Sequence, residues 1–332
     1  MSFKVGIPQS LFFYDYYPLW KEFFNELGAE VVVSSKTNKS ILNDGVSSCV
    51  DEACLPVKVY HGHVMELKNK VDYLFIPKII SIHKREYGCP KYLGLPEMVK
   101  NSVKDLPVCI DANVNLFKSN LGLFEAIKET GKYFTPSFSK IMKAYNIASN
   151  HYQKYRKLIN KGVIPIEALK IYNSDTKLIR SIDDNSPMFM LVGHPYNLYD
   201  EYINMNLIKK IRNNGIRVIT PEMVDDYKVD YYSSKIPKRI FWSFGKRIIG
   251  SSFYLLDGKK IDGIIYVSSF GCGVDSILID FVQRKARDEG IPFTLLTIDE
   301  HTGEAGINTR IEAFMDMIRR RKKNENNIPT YG

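Results

Sequence analysis

The chain has 332 residues, 45% of them apolar and 25% charged, with a formal net charge of +9. That balance is ordinary for a globular protein, and the length allows about two domains at roughly 100–200 residues each. No run reaches the roughly 18–20 apolar residues that span a bilayer, and MSFKVGIPQS lacks the apolar core of a secretory leader, so the expectation is a cytoplasmic protein without a membrane anchor.

Lys4–Pro8 (KVGIP) reads as a short strand. Tyr16–Leu27 places Leu19, Trp20, Phe23, Phe24 and Leu27 on one helical face, and Gly28 suits the position just past the helix end. Glu30–Ser34 (EVVVS) is β-branched and reads as a strand. Helices are expected over Ile41–Cys49 and over Val57–Lys68, the second after Pro56, and strands over Val71–Pro77 and Leu106–Asp111. From Ser137 to about Leu169 Tyr, Lys and aliphatic residues recur at helical spacing, and Ile182–Pro187 (IDDNSP) reads as a linker.

The second half restarts with a strand at Met188–Gly193, a helix at Tyr199–Arg212 and a strand at Arg217–Thr220. A helix over Lys235–Leu256, a strand at Gly263–Ser268, a helix at Val274–Asp288, a strand at Phe293–Asp299 and a helix at Ile307–Arg321 complete it. Strands alternating with helices imply βαβ units and mostly parallel sheets. The reading is an α/β fold: a Rossmann-like domain over 1–135, a helical connecting segment over 136–186, and a second Rossmann-like domain over 187–332. A weak internal repeat supports it. Residues 5–33 and 192–219 each run V-G-x-P, a Tyr-Asp pair, a helix, a glycine and a β-branched strand. Open α/β sheets bind ligands at the carboxyl ends of their strands, so two such domains face to face would form a cleft.

Part of the positive charge sits at Arg319–Lys323, but no zinc-finger spacing, RRM motif or Gly-rich RNA-binding repeat accompanies it. The reading is a solvated basic face that can also attract an acidic partner or a phosphorylated ligand, and no nucleic-acid partner is expected.

Five cysteines in a cytoplasmic chain are core residues or metal and redox ligands rather than a disulfide scaffold. Cys54 (VDEACLPVK), Cys89 (YGCPK) and Cys272 (FGCGVD) share a setting: a turn beside Pro or Gly, at a strand end or helix start. Such a place lets a thiolate point into a pocket with backbone N–H groups near it. The helix near Val274 would aim its positive end at an anionic cluster. Cys109, inside a strand, reads as core packing, and Cys49 as a core residue or an accessory ligand. Zinc, completed by His61, His63 or His194, and an iron–sulfur cluster are both compatible with this set. Lys58 and His61 share a helical face beside Cys54, His194 lies in the expected cleft, and Glu300 and His301 follow the last strand, so His61, His194, Glu300 and His301 are the candidate catalytic groups. Lys78, Lys84, Arg85 and Lys91 surround Cys89 and could hold a phosphate or an acidic partner.

The stretches VGIP (5–8), YDYYPLW (14–20), VDEACLPVKVYHGH (50–63), YGCPKYLGL (87–95), VGHPYNLYD (192–200), SFGCGVD (269–275) and TIDEHTGEAGINTR (297–310) resemble the acyl-CoA dehydratase activase-related family, relatives of 2-hydroxyacyl-CoA dehydratase and benzoyl-CoA reductase subunits. The resemblance implies two Rossmann-like domains and a [4Fe–4S] cluster on Cys54, Cys89 and Cys272, a double-cubane [Fe8S9] cluster being the less expected form. It implies an ATP-hydrolysing activase or another low-potential electron donor as partner, and a homologous subunit or a second copy beside it. No G-x-x-x-x-G-K-[ST] loop or actin-like phosphate motif is present. The expectation is therefore an electron-accepting cluster protein, with reduction or dehydration of a substrate at the cluster as its candidate chemistry, and a relay or scaffold subunit and a zinc-binding structural protein as alternatives.

Overall fold

A computed structural model describes residues 2–174 and 186–326. The first half runs β1 (Lys4–Ile7), α1 (Phe13–Glu26), β2 (Glu30–Val33), α2 (Lys39–Ser47), α3 (Leu55–Leu67) and β3 (Tyr73–Phe75). It continues with β4 (Lys78–Ser81), α4 (Pro90–Leu93), α5 (Leu95–Ser102), β5 (Val108–Ile110), β6 (Asn113–Asn115) and α6 (Leu121–Gly131). Two further helices, α7 (Phe138–Asn160) and α8 (Pro165–Ser174), fill the expected helical segment. The second half runs β7 (Met188–Gly193), α9 (Pro195–Tyr199), α10 (Leu207–Asn213), β8 (Arg217–Ile219), α11 (Asp226–Ser233) and α12 (Ser243–Leu256). It ends with β9 (Gly263–Ser269), α13 (Gly273–Asp288), β10 (Phe293–Ile298) and α14 (Glu304–Asn326).

The fold is α/β with two parallel four-stranded sheets, ordered β2-β1-β3-β5 and β10-β9-β7-β8. Read from the other edge, the second order is β8-β7-β9-β10, so the two sheets share one winding, as the V-G-x-P repeat suggested. In each, the strand order reverses direction beside the first strand, β1 or β7, the position at which such sheets bind ligands. Every residue of β7 after Met188 and every residue of β9 is buried, which explains their continuous apolar runs. At the end of β7, Gly193 adopts a φ of +156°, and a Cβ there would stand 2.5 Å from the Val267 carbonyl oxygen of β9. Only glycine fits that crossing.

The halves share one apolar core, with Ile7, Phe24, Tyr155, Leu191 and Tyr199 in a single buried cluster. Tyr155 of α7 spans the joint, its hydroxyl donating to the Tyr14 carbonyl at 2.7 Å. Among the described residues no helix is long and apolar enough to cross a membrane.

Two local expectations change. The helix expected over Tyr199–Arg212 is broken into α9 and α10, because the Asp200 carboxylate accepts the Tyr202 and Ile203 N–H groups and holds a turn instead of a helix. The helix expected from Lys235 begins at Ser243, because the backbone before it pairs with Tyr87: the Tyr87 N–H donates to the Phe241 carbonyl at 2.7 Å and the Ser243 N–H donates back at 3.1 Å. Residues 182–185 of the expected linker lie outside the described residues.

Candidate metal centre

Cys54, Cys89 and Cys272 each occupy the residue immediately before a helix: α3, α4 and α13. All three have extended backbones there, with φ/ψ of −65/152°, −63/143° and −75/102°. Proline opens α3 and α4, since its missing N–H costs nothing in the first turn and its fixed φ starts the helix. In that setting a side chain folds back over the first free N–H groups of its helix. Of the three, Cys272 makes that bond: the Asp275 N–H reaches its sulfur at 3.5 Å.

The three sulfurs lie within electrostatic reach of one another. Burial pushes the Cys54 thiol up to about 11, its helix N–H opposes the rise, and the neighbouring Cys272 and Cys89 sulfurs add to it. Burial likewise raises Cys89, with Cys272 adding to the shift and Lys91 and His194 opposing it. Each of the three cysteines is only half-buried, so the set opens outward. Thiolates on a single zinc ion sit roughly 3.8 Å apart, given Zn–S bonds of about 2.3 Å. Among the described residues the three sulfurs do not form a set within 4.8 Å of one another. That spacing is wider than one tetrahedral ion requires.

The one His/Cys/Asp/Glu group that does lie within 4.8 Å, among the described residues, is His194, Cys272 and Asp275. His194 precedes α9 as the cysteines precede theirs, at the end of β7, while Cys272 follows β9. The two therefore meet at the reversal point of the second sheet. Asp275 is fully buried and saturated: it accepts from Tyr266 at 2.8 Å and Ser268 at 2.9 Å, and pairs with His194 Nε2 at 3.3 Å. Burial alone would lower the His194 pKa, but the Asp275 carboxylate overrides it and holds the ring well above its usual range. Asp275 is correspondingly held below the usual carboxylate range despite its burial. With its carboxylate so engaged and the Cys272 sulfur within 4.8 Å, the triad reads as a support for that sulfur rather than as an ion site.

Two phenols floor the set. Tyr92 and Tyr196 lie beside each other, and both are within electrostatic reach of Cys54 and Cys272. His194 stacks on Tyr196, ring centroids 5.1 Å apart.

Of the expected catalytic groups, only His194 belongs to this assembly. His61 bonds the Val57 carbonyl at 2.8 Å inside α3, and His63 bonds Thr37 at 2.9 Å. Glu300 forms an ion pair with Lys58 that ties the halves together, and His301 is exposed. Cys109 is half-buried, its sulfur bonded to the Pro107 carbonyl. Asp275, Tyr92 and Tyr196 were not singled out from the sequence, although all three lie within the motif stretches quoted above.

Residues 4–224 match the model of a family described as "CoA enzyme activase uncharacterised domain". No curated protein matches the chain. This finding corrects the expectation of an electron-accepting cluster subunit of the 2-hydroxyacyl-CoA dehydratase and benzoyl-CoA reductase superfamily, together with its relay, scaffold and zinc alternatives: the family stands on the activating side of a CoA enzyme. That expectation leaned on two missing phosphate motifs, and their lack excludes those two modes of nucleotide binding only.

Proposed function

The chain belongs to the CoA enzyme activase family, and from that premise we propose that it activates a CoA enzyme, using a [4Fe–4S] cluster held by Cys54, Cys89 and Cys272. The observation that carries this reading is the convergence of three half-buried thiols, each at the amino end of a helix. Three helix ends present N–H groups and positive dipole to one point, a setting that favours an anionic iron–sulfur cluster. When bound, such a cluster supplies one-electron chemistry whose potential follows burial and hydrogen bonding to its sulfurs.

The protein's own residues supply the rest. His194, fixed by Asp275, stands beside Cys272; Lys91 lies near Cys54 and Cys89; Tyr92 and Tyr196 close the floor. The rim is apolar and open: Phe270, 70% exposed, precedes Cys272 by two residues, and exposed Val50 and Tyr87 stand shortly before Cys54 and Cys89. Such a rim suits docking of a protein partner. The motif resemblance points to a 2-hydroxyacyl-CoA dehydratase or benzoyl-CoA reductase as that partner. Free cysteines fit a reducing compartment, the cytoplasm. We also propose the division at 1–135, 136–186 and 187–332, which is supported by the two separately wound sheets.

The test is activation. The anaerobically reduced chain is mixed with an inactive 2-hydroxyacyl-CoA dehydratase, with and without ATP, and dehydratase turnover is followed. The expected result is turnover that depends on the chain and drops at least tenfold with Cys272→Ser. Equal turnover with and without the chain would contradict the proposal.

A further inference from the structure

On the far side of His194 lies a second cavity of about 340 Å³, lined by α1, α7, the turn after β7 and the start of α12. Its volume falls in the usual range for small-molecule sites. Two buried polar atoms of its lining have no hydrogen-bond partner: His194 Nδ1 and Ser243 Oγ, in residues 4% and 6% exposed. Buried polar groups are almost always paired, so two without a partner in one cavity point to a polar ligand as their acceptor or donor.

The charges around the cavity say which kind. Arg156 of α7 lines it and, among the described residues, has no ion-pair partner within 4 Å. Ser243 opens α12, a helix of fourteen residues, so free N–H groups and the positive helix end stand at the same wall. Arg247, one turn further along α12, is paired with Asp226. Two further acids, Glu222 and Asp15, share the lining. Glu222 accepts the Tyr199 hydroxyl, and burial pushes the Asp15 carboxyl up to about 7, with Glu222 adding to the rise.

We propose that this cavity binds a small oxoanion, a phosphate or a carboxylate, held by Arg156, the Ser243 hydroxyl and the amino end of α12. The ligand would share the His194 ring with Cys272, one face of the imidazole serving each site. The inference goes beyond the metal centre and does not need it: the cavity is complete without a cluster.

Calorimetric titration of the purified full-length protein tests it. Sodium phosphate and sodium malonate are titrated separately, against sodium chloride at matched ionic strength. The expected result is saturable binding of at least one, in the millimolar range or tighter. Arg156→Gln weakens it tenfold or more and Ser243→Ala severalfold, whereas Arg310→Gln, on an exposed helix face, leaves it unchanged. Phosphate binding with malonate silent assigns a phosphoryl group, and the reverse assigns a carboxylate. Ser243→Ala removes one atom, so it keeps the test open if Arg156→Gln fails to fold. Heats no larger than those of chloride, or binding indifferent to both Arg156→Gln and Ser243→Ala, would overturn the proposal, and neither result bears on iron content.

Discussion

His63 shows how a single residue of this chain is set by its partners. The Thr37 hydroxyl donates to Asp200, so its oxygen must accept from His63, 2.9 Å away, which places the proton on Nε2. The other ring nitrogen is buried without a partner. Protonating it would create a buried charge with no acceptor, and burial accordingly drives the His63 pKa from 6.5 down to about 4, against a small opposing pull from Glu66. The folded pKa lies below the unfolded one, so this contribution to stability is complete above the unfolded value and is lost as pH falls toward 4. Asp200, raised by burial to about 6, works in the opposite sense, and a comparison of variants removes it. Urea unfolding of wild type and His63→Gln should show the wild type losing about 2 kcal/mol more than the variant between pH 7 and pH 5. Parallel losses would show that the imidazole titrates normally. The same scale shows what the sequence could convey about the site. His194 was legible because V-G-H-P repeats V-G-I-P at a strand end. Asp275 was hidden because its meaning depends on Tyr266 and Ser268, two apart on one face of β9, and on His194 arriving from β7.

At the scale of elements, α2 and α3 meet backbone to backbone. A Cβ on Gly62 would fall 1.9 Å from the Ile41 carbonyl oxygen, and one on Gly45 would fall 2.0 Å from that of Lys58. The glycines let α3 settle against α2, and α3 in turn carries Cys54 at its start. Gly62→Ala must push the helices apart and should cost about 3 kcal/mol or more, read as a lower urea midpoint. A change below about 0.5 kcal/mol would show that the packing gives way freely. Most strands and helices were legible because their burial is one-sided or complete, and the periodicity follows. The pair β4 and β6 was not, since β6 reads Asn-Val-Asn and carries no apolar alternation; its pairing with β4 places it there. Nor was α11, where three tyrosines and two aspartates in eight residues hide the buried Val229.

At the scale of the whole molecule, the candidate metal centre comes together only because the halves are locked together. Cys54 and Cys89 come from the first half, and Cys272, His194 and Asp275 from the second. The locks are Thr37 on Asp200, Lys58 on Glu300, and the backbone pairing of Tyr87 with Phe241 and Ser243 two residues before Cys89. None of these contacts has a sequence signature, because each joins residues more than 150 apart. The helix starts that carry the three cysteines were nonetheless legible, since each turn follows local rules alone, and local rules hold whatever the rest of the chain does. The most direct measurement of the central claim is iron and acid-labile sulfide per chain after anaerobic purification, on wild type, Cys54→Ser, Cys89→Ser, Cys272→Ser and Cys109→Ser. The account predicts about four irons per chain in wild type and Cys109→Ser, with marked loss in each of the other three. A protein that binds no iron after anaerobic reconstitution, or one whose iron is indifferent to Cys54, Cys89 and Cys272, would contradict it.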